Sequence, residues 1–139
     1  MNKTYLKLSL DFDFILIAIT ASLKDYVLCH HINTQLHFNF EKLEDHEVFF
    51  NIDEPPLSFS KYFFYVEQGD NEYFILNNRN SDGFLIPEMN KVDFFMIIHQ
   101  YLDKEDLNYI ISGLNKLPGI QVAAKIDPNK LRSKENLII

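Results

Sequence analysis

The chain has no tryptophan, one cysteine and four glycines, and the last two shortages each remove a class of protein. A lone Cys29 excludes an internal disulfide framework and fits a reducing compartment. Gly69, Gly83, Gly113 and Gly119 are too scattered to compose a phosphate-cradling loop. Neither a GxSxG elbow nor a paired CxxC is present. The longest apolar run, Phe14 to Ala21, is far too short to span a bilayer, and Asp11 and Asp13 interrupt the apolar stretch that a secretory signal would need. The expectation is a cytoplasmic protein without a membrane segment.

What is abundant is aromatic. Thirteen Phe and seven Tyr make a strand-favouring chain, and 139 residues suit one domain that buries roughly two-thirds of its unfolded surface. The net charge of −7 is uneven: Glu41, Glu44, Asp45, Glu47, Asp53 and Glu54 face only Lys42 in their segment, whereas Lys116, Lys125, Lys130, Arg132 and Lys134 make the C-terminal part basic. An acidic body repels phosphate backbones, which argues against nucleic-acid binding and leaves only the basic tail to touch one.

The stretch Gly83 to Tyr101 organises the rest. Val92, Phe94, Met96 and Ile98 alternate with Asp93, Phe95 and Ile97, so both faces from Phe94 onward need cover, as in a central strand. Before it, Tyr5 to Phe14 alternates as a half-buried strand, and Ile15 to Ile19 either continues it or follows a bend. Ser22 and Asp25 have capping-box spacing ahead of a helix from Leu23 to about Thr34, with Leu28, Cys29, Ile32 and Leu36 as its apolar stripe. Leu36 to Phe40 and Val48 to Ile52 read as short strands around an acidic turn, closed by Pro55-Pro56. Lys61–Glu67 and Glu72–Asn77 form a hairpin through Gln68-Gly69-Asp70-Asn71, and Asn77 to Gly83 is a second turn.

Pro87 cannot donate to a ladder and marks a strand end, edge or bulge. After the central strand, Asp103 and Asp106 open a helix with Leu107, Ile110, Ile111, Leu114 and Leu117 on one face, stopped by Pro118-Gly119. Ile120, Val122, Ala124 and Ile126 then alternate as a strand, and strand–helix–strand implies a parallel pair. The tail, residues 128–139, ends Leu137-Ile138-Ile139 and is expected to dock on this subunit or on a second copy. Together these elements predict a single α+β domain over residues 1–139. It has a mixed, mainly antiparallel sheet with two main helices on one face, and a ferredoxin-like or related split βαβ arrangement is the nearest named comparison.

Ile86-Pro87-Glu88, three residues, then Val92-Asp93-Phe94 resembles the signature of the bacterial IPExxxVDY family of small proteins, with Phe94 in place of its tyrosine. Leu23-Lys24-Asp25-Tyr26, Lys125-Ile126-Asp127-Pro128 and Ser133-Lys134-Glu135-Asn136-Leu137 look like the family as well. The resemblance implies no activity, so it supplies no catalytic residues to carry over. Read from the residues, Glu88 is an exposed loop acid that can fix its turn through backbone amides. Asp93 sits at the sheet margin, paired with Lys91, Arg79 or Lys125, or lies in a polar pocket.

His30, His31, His37, His46 and His99 stand at no recognised metal-ligand spacing, and neither a metal nor a cofactor is expected. His30 and His31 are also poorly placed to deprotonate Cys29, because adjacent helical residues do not face each other. The functional expectation is a non-enzymatic protein-interaction or regulatory module, its partner another protein or a second copy in a homodimer. The alternative is a small-molecule-binding protein or enzyme with a pocket near Pro87, Glu88, Asp93 and His99.

Overall fold

In the computed structural model, which describes residues 12–139, the chain runs β1 (Ile15–Ala21), α1 (Asp25–Leu36), β2 (Glu41–Val48), β3 (Leu57–Val66) and β4 (Asn71–Asn77). The two-residue strands β5 (Arg79–Asn80) and β6 (Gly83–Phe84) follow, then β7 (Phe94–His99), α2 (Lys104–Asn115) and β8 (Ile120–Ile126). Short 3-10 turns lie at Pro87–Met89, Pro128–Lys130 and Lys134–Leu137. The fold is α+β: six strands in the order β2-β3-β4-β7-β1-β8 form one sheet, and β5-β6 form a small second one.

β7 is the doubly covered strand that its apolar run demands. Phe94, Met96 and Ile98 face the layer holding Leu28, Ile32, Ile110 and Leu114 of the two helices. Phe95 and Ile97 face the opposite layer, where Leu85, Ile86, Val92 and Leu137 lie over the sheet. Helices therefore cover one face, whereas the second is covered by the irregular segment around residues 85–92 and by the tail. On the helix face, α1 and α2 approach closely enough that a Cβ on Gly113 would overlap the Cδ2 of Leu36, which explains a glycine inside a helix where it otherwise weakens the element.

Several expectations need correction. Tyr5 to Asp11 lies outside the described residues; Phe12 to Phe14 is not strand, and β1 starts at Ile15. Ser22 is not a helix cap: its amide donates to the Gly119 carbonyl at 3.2 Å, α1 starts at Asp25, and Lys24 occupies the cap position without a side-chain bond. Residues 37–40 are not a strand, because the Asn33 side chain takes both the amide and the carbonyl of Phe40.

The acidic segment read as a turn is instead β2, and the expected strand Val48 to Ile52 gives way to a turn after Val48. An edge strand keeps one margin in water, so Glu41, Glu44 and Asp45 are solvated there, and charge on such an edge discourages pairing with other chains. β7 and β8 do not pair either. β1 lies between them, antiparallel to both, so the β7–α2–β8 unit is split by the first described strand. Finally, β8 does not hold one apolar face. A register shift opposite Thr20 and Ala21 makes Gln121 an extra residue, which puts Ile120 and Ala123 on the helix face and leaves Val122 and Ala124 exposed.

Where spacing was clear the elements match. β3 and β4 form the expected hairpin, and Gly69 and Asp70 both take positive φ in its turn. α2 begins with the Asp103 carboxylate accepting from the Asp106 amide at 2.8 Å. Of the terminal apolar residues, Leu137 is buried in this subunit whereas Ile138 and Ile139 remain exposed.

Candidate functional site

The signature segment enters the second layer at Ile86 and leaves it at Val92, both buried. Pro87 opens a 3-10 turn at a position where its missing N–H costs nothing, and the turn closes through Met89 N–H to Ile86 C=O at 3.0 Å and Val92 N–H to Met89 C=O at 3.1 Å. Phe94 lies in the opposite layer, facing the helices. Pro87 itself is exposed.

The centre of this loop is a residue that composition did not single out. Asn78, fully buried, accepts from the Ile86 amide at 2.8 Å through its side-chain oxygen and donates its two N–H groups to the carbonyls of Met89 (3.0 Å) and Val92 (2.8 Å). Its backbone adds a donation to Asp93 C=O at 2.9 Å and an acceptance from Leu85 N–H at 2.8 Å. One amide side chain thus satisfies three loop groups that no ladder reaches, as a buried peptide group requires.

Asp93 stands at the sheet margin, directly before β7. Its amide donates to Ile19 C=O at 2.9 Å, so it continues the ladder to β1, and its carboxylate accepts from Ala21 N–H at 2.8 Å. The other oxygen accepts from Arg79 Nε at 2.6 Å, which selects Arg79 from the three cations expected of it. Arg79 also places its guanidinium over the Phe84 ring, 5.3 Å from the centroid.

Glu88 does not brace its own turn alone. It accepts from the amide and the hydroxyl of Ser133, both at 2.8 Å, and so ties the signature to the tail. Burial pushes its carboxyl up, but the two Ser133 bonds, its own backbone amide and the nearby Arg132 outweigh that, and the net position is below the usual carboxylate range.

The histidines divide. His46 is buried and its Nε2 bonds the Asn136 carbonyl at 2.7 Å. Burial lowers its pKa, the Asn136 bond opposes that, and Lys61 lowers it further. His99, at the end of β7, lies 3.4 Å from Glu72 and packs at a tilt against the rings of Phe14 and Phe74. His30 and His37 are exposed, and His31 is half-buried. Cys29 sits in the helix-side layer, where burial and then Asp25 push its thiol up to about 12, so it is a protonated packing group at neutral pH.

Pro87, Glu88, Asp93 and His99 do not meet in one hollow. A groove of about 1140 Å³ is lined by His99, Glu72, Gln100, Tyr101, Lys104 and Lys125 among others, and a cleft of about 620 Å³ is lined by Pro87, Phe50, Pro55, Pro56, Leu57 and Phe84 among others. Neither Glu88 nor Asp93 lines either one. Among the described residues no group of three or more His, Cys, Asp or Glu could hold a metal ion, and no helix is long and apolar enough to cross a membrane. No family model, no curated protein and no solved structure matches this chain.

Sequence reasoning missed Asn78 and Ser133. Their partners lie 8 to 45 residues away and are chosen by tertiary placement. The one available signal was Asn78 lying next to Arg79 just past a strand end, a position where asparagine commonly bonds backbone.

Proposed function

We propose that this protein is a member of the IPExxxVDY family and a non-enzymatic, cytoplasmic protein-interaction module, with another protein or a second copy as its partner. The observation that carries the reading is a division of labour. The polar side chains of the signature are spent on the chain itself, Glu88 on Ser133 and Asp93 on Ala21 and Arg79. The turn after β2, by contrast, holds Phe49 at 66 %, Phe50 at 47 % and Ile52 at 92 % exposure. Three large apolar groups within four residues leave a patch of the kind that marks interaction sites.

Light scattering on the purified protein, with affinity capture from its own cytosol, tests the reading. Wild type is expected to form a dimer or retain a stoichiometric partner, and Phe49→Ser with Ile52→Ser to lose it without loss of fold. A clean monomer that retains nothing counts against it.

The His99 groove favours a second reading, a small-molecule site. Under that reading, amide shifts in an NMR ligand screen cluster at Glu72, His99 and Lys104, and disappear in His99→Ala.

A further inference from the structure

The turn from Phe49 to Pro56 does more than expose apolar groups: it forms one wall of the 620 Å³ cleft, and β6 with Pro87 forms the other. We propose that this cleft docks a peptide segment of a partner protein in which bulky apolar residues are flanked by lysine or arginine. The proposal rests on the interaction reading above and names its partner class.

Chemistry of the walls selects the ligand. Phe50, Pro55, Pro56, Leu57, Phe84 and Pro87 supply an apolar floor, and such a floor gains from burying a Leu or Phe side chain. Glu54 and Asp82 also line the cleft, and no lysine or arginine does. Asp53 lies exposed in the same turn, and Glu47 is two residues before Phe49. Of the nearby cations, Arg79 lies over the Phe84 ring but its charge is paired with Asp93, and Lys42 is paired with Asp45 at 3.0 Å. An apolar floor lined by two acids and by no lysine or arginine repels acidic segments and attracts basic ones.

The cleft is also pre-formed. Two consecutive prolines stiffen one wall, and Asn51 locks the turn by accepting from the Asp53 amide and donating to Glu54, both at 3.1 Å. The opposite wall approaches closely: a Cβ on Gly83 would meet Leu57 Cδ1 at 3.1 Å. Little ordering is then required of the protein when a peptide binds.

The probe is a fluorescein-labelled nonapeptide with a Phe-x-Leu core flanked by lysine and arginine, titrated by anisotropy against the same core flanked by glutamate. At 50 mM NaCl the basic peptide should bind roughly tenfold or more tightly than the acidic one, and lose several-fold in affinity at 500 mM NaCl. Amide shifts should be confined to residues 50–57 and 82–87. Glu54→Gln with Asp82→Asn should remove the preference for the basic peptide, and Phe50→Ser should weaken both; Phe50 is half exposed, so its variant tests binding rather than folding.

Equal affinity for the two peptides, shifts centred elsewhere, or Phe50→Ser binding as well as wild type would overturn the proposal. If the basic peptide fails while light scattering shows a dimer that Ile52→Ser dissociates, the partner class is wrong and the interaction reading stands. If no peptide binds and no complex forms, both fall.

Discussion

At the scale of the residue, asparagine is the recurring device. Asn33 brackets Phe40, Asn115 brackets Ala123 and Asn129 brackets Phe12, each amide accepting from the N–H and donating to the C=O of one distant residue. An Asn side chain is a peptide group on a short stem, so it can stand in for a missing neighbouring strand wherever the ladder stops. Asn78 is the most buried example, and its side chain bonds three loop groups. Asn78→Ala is expected to orphan the Ile86 N–H and the Val92 C=O, leaving Met89 C=O with its Val92 N–H donor, and to cost about 3 kcal/mol, read as a lower urea midpoint at unchanged slope. Asn78→Asp should be at least as damaging, since it removes both donors and buries a carboxylate.

At the scale of the element, legibility followed locality. α2 could be read because its cap and apolar stripe lie within 15 residues of one another, and the β3–β4 hairpin because Gly69-Asp70 suits its turn. β7 could be read because five consecutive apolar residues leave no wet face. β2 could not: an edge strand pairs through its backbone, and its acidic side chains carry the sequence signature of a loop.

The Ser22–Asp25 spacing misled for a related reason, because the Ser22 backbone is engaged by Gly119, almost a hundred residues on. The two helices therefore give opposite expectations. Asp103→Ala should destabilise by about 1 kcal/mol, whereas Ser22→Ala should stay within about 0.5 kcal/mol of wild type in the same denaturant titration. Arg79 stood among the cations expected for Asp93, and it is the one that pairs with it. The reach of Glu88 to Ser133, 45 residues downstream, depends on how the tail folds back.

At the scale of the whole molecule, the sheet has one regular cover and one improvised from loop and tail. Leu137 is buried in the second layer, Asn136 donates to Leu85 C=O, and the Asn136 carbonyl is bonded by His46 of β2. Burial of the His46 ring makes this part of the cover sensitive to acid, and the Asn136 bond only partly offsets it. The folded-state pKa of His46 is lowered, so below about pH 6.5 the unfolded chain takes up a proton that the folded chain resists. Its contribution is complete above pH 6.5 and declines as pH falls toward the depressed value. Glu88, also lowered, adds a separate loss only below about pH 4.5.

In thermal melts from pH 7.5 to 5, His46→Gln is expected to start lower and to show a flatter decline than wild type, the difference isolating this one ring. Protection factors against hydrogen exchange in residues 131–139, taken relative to the intrinsic rate at each pH, should fall over the same interval in wild type.

The threading of β1 has a consequence for how the chain is made. Ala21 waits for Asp93, 72 residues later, and β8 comes later still, so the earliest described strand leaves the ribosome with both margins bare and both surfaces greasy. Among the described strands β1 has no neighbour until β7 is made, so its ladder closes only after translation has run well past it.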